Sequence, residues 1–202
     1  MIPAAPPSRL GDPPLSVPHP AGAEVGRGEV SLLLSAVTEE DLEDLWRLHA
    51  DPAAYRLDTT EPLTDREQMR WVLGCWIAAA APGLGYVTLR EDDGTSGAGP
   101  LHGVLGLTEI EHGDMPLTSL YYRLSPTSCG RGLGTASGRA LLEAALLARG
   151  PHRVVVVTNE ANAPSLALAR RLGFREPDEA SPVPGGRGGD VLLERRLGED
   201  RP

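Results

Sequence analysis

The chain contains no lysine: all 19 of its basic residues are arginine. That absence excludes Schiff-base chemistry and the phosphate-gripping lysine of a Walker loop. Cysteine is scarce too, with Cys75 and Cys129 far apart and no C-x-x-C or histidine pair beside either, so neither a disulfide framework nor a metal site is expected. No long apolar run exists. The longest, Cys75 to Ala81, is stopped by Pro82, far short of the roughly 18 residues that a membrane span needs. Pro3, Pro6 and Pro7 break the first ten residues before a signal peptide could form its apolar segment. Basic residues are outnumbered by 28 acidic ones, giving a net charge of −9 and a pI near 5.0. A polyanion-binding surface is therefore not indicated. The expectation is a soluble, cytoplasmic protein with neither nucleic acid nor membrane as partner.

Glycine (24) and proline (19) are plentiful, and they gather at the N-terminus. Residues 1–29 hold prolines and glycines, no aromatic residue and no period of 2 or 3.6, so they read as a disordered leader. Residues 30–198 read as one domain, in keeping with a chain of 202 residues. A strand-like run at Glu29–Ser35 precedes Thr38-Glu39-Glu40-Asp41, which supplies an N-cap and first-turn acids to a helix with Leu42, Leu45, Trp46 and His49 on one face. Pro52 ends it. Thr64-Asp65-Arg66-Glu67 has capping-box spacing and opens a second helix with Met69, Leu73, Trp76 and Ile77 inward. A hairpin follows, Tyr86–Leu89 and His102–Glu111, and then a third strand-like run, Leu117–Leu124. The next helix presents Leu133, Ala136, Ala140, Leu141, Ala144 and Leu147, and ends at Arg149-Gly150-Pro151. Arg153–Thr158 is β-branched on both faces, as in a covered central strand. A short helix over Asn162–Leu172 and a last strand, Val191–Leu197, complete the reading.

The feature richest in chemistry is a strand, then Gly130-Arg131-Gly132-Leu133-Gly134, then a helix. Glycines let backbone N–H groups approach a ligand, and a helix start adds unpaired donors and partial positive charge, an arrangement suited to a phosphate or pyrophosphate. A glycine-rich turn with no ligand fits the same residues. A dinucleotide fold fits less well, because Thr135 stands where G-x-G-x-x-G needs its third glycine. Asn162-Ala163-Pro164-Ser165 starts a helix directly after a strand, and Leu172-Gly173-Phe174 ends it. Physics alone accepts these as a cap, a first-turn proline and a C-cap.

Taken together, Leu124-x-Pro126, the glycine loop, Asn162-x-x-Ser165 and Leu172-Gly173-Phe174 resemble the GNAT N-acetyltransferase superfamily. The opening Thr38–Leu42 through His49-Ala50-Asp51-Pro52 is similar to its branch of ribosomal-protein N-terminal alanine and serine acetyltransferases. The resemblance implies an α/β (α+β) fold, with a mixed, largely antiparallel central sheet flanked by helices and splayed at the cofactor site. It implies acetyl-CoA as cosubstrate, with the pyrophosphate on the amides of Arg131, Gly132, Leu133, Gly134 and Thr135. The pantetheine arm would meet the strand end at Arg123 and Leu124, and Asn162. Its acceptor would be a protein N-terminus or another small amine. A homodimer is compatible with it. Two positions depart from the pattern: Cys129 replaces the usual arginine or glutamine, and Ala169 stands where many relatives have an acidic tyrosine. Ser165 is then the candidate to protonate the departing thiolate, beside its plain role in a helix first turn.

Acceptor type can be set against ionisation. At neutral pH roughly a tenth of an α-amine is uncharged, but only about 0.04% of a lysine-type amine. For a base, Glu109 and Glu111 share one strand face, and Glu109 is the candidate; both also fit as solvated edge charges. Tyr121 and Tyr122 must point to opposite faces. His49, His102, His112 and His152 have no paired spacing and read as structural or surface residues. A small-molecule amine acetyltransferase, or an acyl-CoA-binding module without catalysis, fits the same sequence.

Overall fold

The computed structural model describes residues 9–18, 20, 31–92, 99–112, 115–178, 182–184 and 186–199. Seven strands lie in chain order across one sheet: β1 (Leu15–Pro18), β2 (Ser31–Ala36), β3 (Gly85–Asp92), β4 (Leu101–His112), β5 (Met115–Leu124), β6 (His152–Asn159) and β7 (Asp190–Leu197). Neighbours are antiparallel except β5 and β6, which are parallel and so need a helical crossover, supplied by α3 (Leu133–Arg149). This is the mixed, largely antiparallel architecture that the sequence implies.

Side-chain alternation explains the layers. In β2, Leu32, Leu34 and Ala36 are buried while Ser31, Leu33 and Ser35 are half-buried. In β6, consecutive Val154, Val155 and Val156 are all buried, because both sheet faces are covered there. On one face, α3 and α4 (Ala163–Arg171) close the main core around Leu89, Leu105, Leu107 and Leu141. On the other, α1 (Leu42–Ala50) and α2 (Arg66–Ala78) pack Leu45, Met69 and Leu73 against Val104. The Thr38 N–H donates to Asp41 Oδ2 at 2.8 Å ahead of α1. The cap of α2 is Asp65, whose Oδ1 accepts the Glu67 N–H at 2.9 Å, one residue after the expected Thr64.

Two expectations are corrected. Leu147 does not face the core but is 86% exposed, and the buried face of α3 instead runs through Ser137, Gly138, Leu142 and Ala145. Hydropathy missed it because its contact point is small: a Cβ on Gly138 would stand 2.8 Å from the Leu172 side chain. The second correction concerns the leader. Leu15–Pro18 pairs with β2, and Leu10 and Val17 join the main core at 1% and 2% exposure, so this part is ordered. Two apolar side chains placed on one sheet face outweigh the poor local pattern of a proline-rich segment. Residues 1–8, 19 and 21–29 of the leader lie outside the described residues.

Candidate functional site

β5 and β6 share only two register pairs, Thr118↔Val154 and Ser119↔Val155. Beyond them, β5 stays with β4 as far as Leu124↔Gly103, and β6 stays with β7 as far as Asn159↔Asp190. The sheet therefore opens into a wedge between residues 120–124 and 156–159, whose facing edges carry main-chain groups without a strand partner. The wedge lies within a cavity of about 1100 Å³, large enough for an extended ligand.

One end of the cavity is made of main chain. After Leu124 the chain makes a single 3-10 turn, Pro126–Ser128, and enters α3 through the glycine loop. Gly130 and Gly132 have φ of 76° and 79°, a left-handed conformation that costs other residues about 1–2 kcal/mol. Gly132 caps α3 without a side-chain acceptor, and the N–H groups of Gly130 to Gly134 have no acceptor among the described residues. Bare amides at the start of a 17-residue helix are suited to an anion. Arg139 of α3 and Arg171 of α4 line the same cavity and have no anionic partner among the described residues. Cys129 is exposed, its Sγ donates to the Ser125 carbonyl at 3.5 Å, and burial of the sulfur pushes the thiol pKa up, so it is no activated nucleophile.

The wedge is crossed at its middle by a pair of hydroxyls. Asn162 Oδ1 accepts the Ser165 N–H at 3.2 Å and so caps α4, leaving its Nδ2 without a partner among the described residues. The Tyr122 hydroxyl lies 2.9 Å from Ser165 Oγ and 3.1 Å from the Ser165 carbonyl. Burial pushes the Tyr122 phenol up, partly offset by the Ser165 hydrogen bond, so it is protonated at neutral pH.

The opposite wall is made of side chains. Arg123 donates to Asp58 Oδ2 at 2.6 Å, to the Ala54 carbonyl at 2.8 Å and to the Tyr121 hydroxyl at 3.1 Å, with its guanidinium 3.7 Å above the Tyr55 ring. Burial would raise the Asp58 pKa, but hydrogen bonds from Arg123 and Thr60 outweigh it and hold the carboxyl low. Behind Tyr121 sits buried His49. Its Nδ1 is 2.8 Å from the Leu45 carbonyl, which can only accept, so Nδ1 carries the proton and Nε2 accepts from the Tyr121 hydroxyl at 3.2 Å. Burial, with a smaller contribution from Arg123, lowers the His49 pKa to about 4. The phenol of Tyr121 is thus fixed from both sides. Asp190 is engaged as well, accepting from Asn159 at 3.1 Å and from the Arg187 N–H at 2.9 Å, while the Arg187 guanidinium reaches the Thr59 carbonyl at 2.8 Å.

Of the sequence-derived candidates, Leu124, Gly132, Leu133, Gly134, Asn162 and Ser165 line this one cavity. Arg123 and Thr135 line it too, with differences. The Arg123 side chain belongs to the far wall, and the Thr135 N–H already donates to the Gly132 carbonyl at 3.0 Å. Arg131 is exposed and outside the lining. Glu109 is not brought to the cavity: it lies further along β4, opposite Thr118, and accepts from Arg149 at 2.6 Å, which corrects its candidacy as base. His49 and His102 prove buried; His102 bridges Ser128 at 2.8 Å and Glu91 at 3.1 Å. Asp58, Tyr55 and the Tyr122–Ser165 contact were missed. Strand parity at Tyr121 and Tyr122 was the available signal, since it sends the two phenols to different walls.

Residues 31–175 match the acetyltransferase (GNAT) domain model. No curated protein sequence matches significantly. Mycobacterium smegmatis RimJ in complex with CoA-disulfide is 20% identical, with a TM-score of 0.65 over 92% of this chain and 88% of that one. Spermidine N-acetyltransferase from Vibrio cholerae, in complex with CoA and spermine, is 15% identical, with a TM-score of 0.62 over 82% and 94%. A phosphinothricin acetyltransferase from Sinorhizobium meliloti, in complex with AcCoA, is 21% identical, with a TM-score of 0.63 over 84% and 89%.

Proposed function

The chain belongs to the GNAT acetyltransferase family, and from that premise we propose that it transfers an acetyl group from acetyl-CoA to the α-amine of a peptide or protein N-terminus. The observation that carries the cosubstrate is the pairing of an open wedge with a mouth of bare amides. Gly130 to Gly134 would hold the pyrophosphate, with Arg139 and Arg171 adding charge for the remaining phosphate. The arm would lie along the free edge of β5 at Arg123 and Leu124, within reach of Asn162 Nδ2. Acetyl-CoA supplies the activated acyl group, and the protein supplies orientation and proton transfer.

The acceptor class rests on the carboxylates. The two that line the cavity, Asp58 and Asp190, are each committed to donors of the protein, so neither is a free base or a free anchor for a polycation. An α-amine needs the least help, because it is already partly neutral. Thiol release from acetyl-CoA, measured against peptides starting with Ala or Ser, spermidine and a lysine side-chain amine, tests the assignment. Turnover is expected with the peptides. Turnover confined to spermidine overturns the acceptor, and binding of acetyl-CoA without transfer to any amine favours a non-catalytic acyl-CoA module.

A further inference from the structure

The cavity is richer in positive charge than the protein around it. In a chain of net charge −9, its lining carries five arginines and, among the described residues, only two acids, Asp58 and Asp190. These charges divide between the two faces of the sheet. Arg139 of α3 and Arg171 of α4 stand on the face of the glycine loop, where the phosphates of the cosubstrate account for them. The segment after the 3-10 turn Pro52–Tyr55 stands on the other face, with Ala54 packed into the α1–α2 cluster. Arg123 is engaged there by Asp58 and Ala54. Arg56 and Arg187 are left.

Their hydrogen bonding is one-sided. Arg187 gives one donor to the Thr59 carbonyl at 2.8 Å, which fixes it beside the same segment, and Arg56 has no hydrogen-bond or ion-pair partner among the described residues. A guanidinium has five donors and keeps its charge at every working pH. The carboxylates have nothing comparable to offer in return. Asp58 Oδ2 accepts from Arg123, and its Oδ1 accepts from the Thr60 N–H at 3.0 Å and the Thr60 hydroxyl at 2.9 Å. Asp190 Oδ1 accepts from Asn159 and its Oδ2 from the Arg187 N–H. All four oxygens are engaged. This mouth therefore has donors to give and no free carboxylate, so the ligand that complements it brings acceptor oxygens and negative charge.

We propose that Arg56 and Arg187 form an anion-recognising rim at the acceptor mouth, and that the acceptor is an acidic peptide, an α-amine followed within a few residues by Asp or Glu. This rests on the acetyltransferase reading and deepens it. The amine attacks in its uncharged form, and positive charge around it disfavours the ammonium, which matters where no carboxylate is free to take the proton. A carboxylate further along the peptide holds such an acceptor against that same charge. A polyamine has the wrong sign at every position, and a peptide with early arginines is repelled. Both rim arginines are exposed, so each pair is worth about threefold in binding, an effect that shrinks as ionic strength rises.

Thiol release from acetyl-CoA with three C-terminally amidated peptides, Ser-Glu-Glu-Ala, Ser-Gln-Gln-Ala and Ser-Arg-Arg-Ala, tests the rim. For the native protein kcat/KM should fall about tenfold from the Glu peptide to the Gln peptide and about tenfold again to the Arg peptide, carried by KM with kcat little changed. R56E, which breaks no contact among the described residues, should bring the Glu and Gln peptides level and speed the Arg peptide about tenfold. R187Q keeps a donor for Thr59 while losing the charge, and should cut the preference for the Glu peptide about threefold. A second readout needs no turnover: calorimetric titration of the Glu peptide into the coenzyme A complex should show weaker binding for both variants. Equal rates with all three peptides, or a preference that neither substitution moves, overturns the rim. Free glutamate acetylated faster than the Glu peptide overturns the peptide as carrier of the carboxylate. A native protein that acetylates none of the peptides fails the acceptor reading itself, so the two failures are distinct.

Discussion

The two walls of the cavity are built from different materials. The glycine-loop wall offers main-chain amides, contiguous in sequence from Gly130 to Gly134, whereas the facing wall is a mesh of the Asp58, Tyr121 and Arg123 side chains, tied to the Ala54 carbonyl and backed by His49 and Tyr55. Amides survive substitution of the residues that carry them, so Cys129 in place of the usual arginine or glutamine is expected to weaken cofactor binding rather than abolish it. A mesh of side chains is less tolerant, because removing one member strands the others in a buried place.

Substitutions on either wall test this difference. The largest effect is expected from Arg123→Ala, which leaves Asp58 and Tyr121 half-buried or buried without their donor. A stability loss of about 3 kcal/mol by chemical denaturation is expected, and Arg123→Lys should not restore it, since one ammonium cannot serve Asp58, Ala54 and Tyr121 together. Acid comes next. The folded pKa of His49, near 4, lies below its unfolded value of about 6.5, so stability present above pH 6.5 should fall as pH drops toward 4, by about 3 kcal/mol. His49→Gln should flatten that slope in pH-dependent unfolding. On the main-chain wall, Gly132→Ala forces a left-handed alanine and sets a methyl group 3.2 Å from Pro20, so a stability loss of about 1 kcal/mol is expected, with coenzyme A binding weakened more than tenfold by calorimetry. Cys129→Ala should change that affinity less than about twofold, as the amides remain in place. The smallest effect belongs to Glu109→Ala: its partner Arg149 is an exposed ion pair outside the cavity, so kcat should be unchanged and stability altered by less than about 1 kcal/mol.

The same contrast explains what could be read from the sequence. The glycine loop, Asn162 and Ser165 were legible as cavity-lining residues because each belongs to a signal carried within a few consecutive residues. The strands from β2 to β7 and the four helices were legible because period and caps mark them locally. β1 escaped, since four residues among prolines carry no period until β2 lies beside them. The face of α3 was turned because Gly134 and Gly138, bare of side chains, are the positions at which Leu168 and Leu172 approach. Glu109 was misplaced for a related reason: strand parity fixes which face a side chain takes, but not how far along the sheet the cavity lies. The facing wall was opaque throughout, because no local rule links His49 to Tyr121 or Asp58 to Arg123.

The seam between β5 and β6 has a mechanical consequence. With two rungs joining one half of the sheet to the other, the molecule resembles a book whose spine is stitched at a single point, its pages steadied from outside by α3 and α4. An occupant lying between the pages would sew them along the missing length. Cosubstrate supply would then govern the lifetime of the protein as well as its throughput: a starved enzyme would be the one most readily opened and cut by proteases.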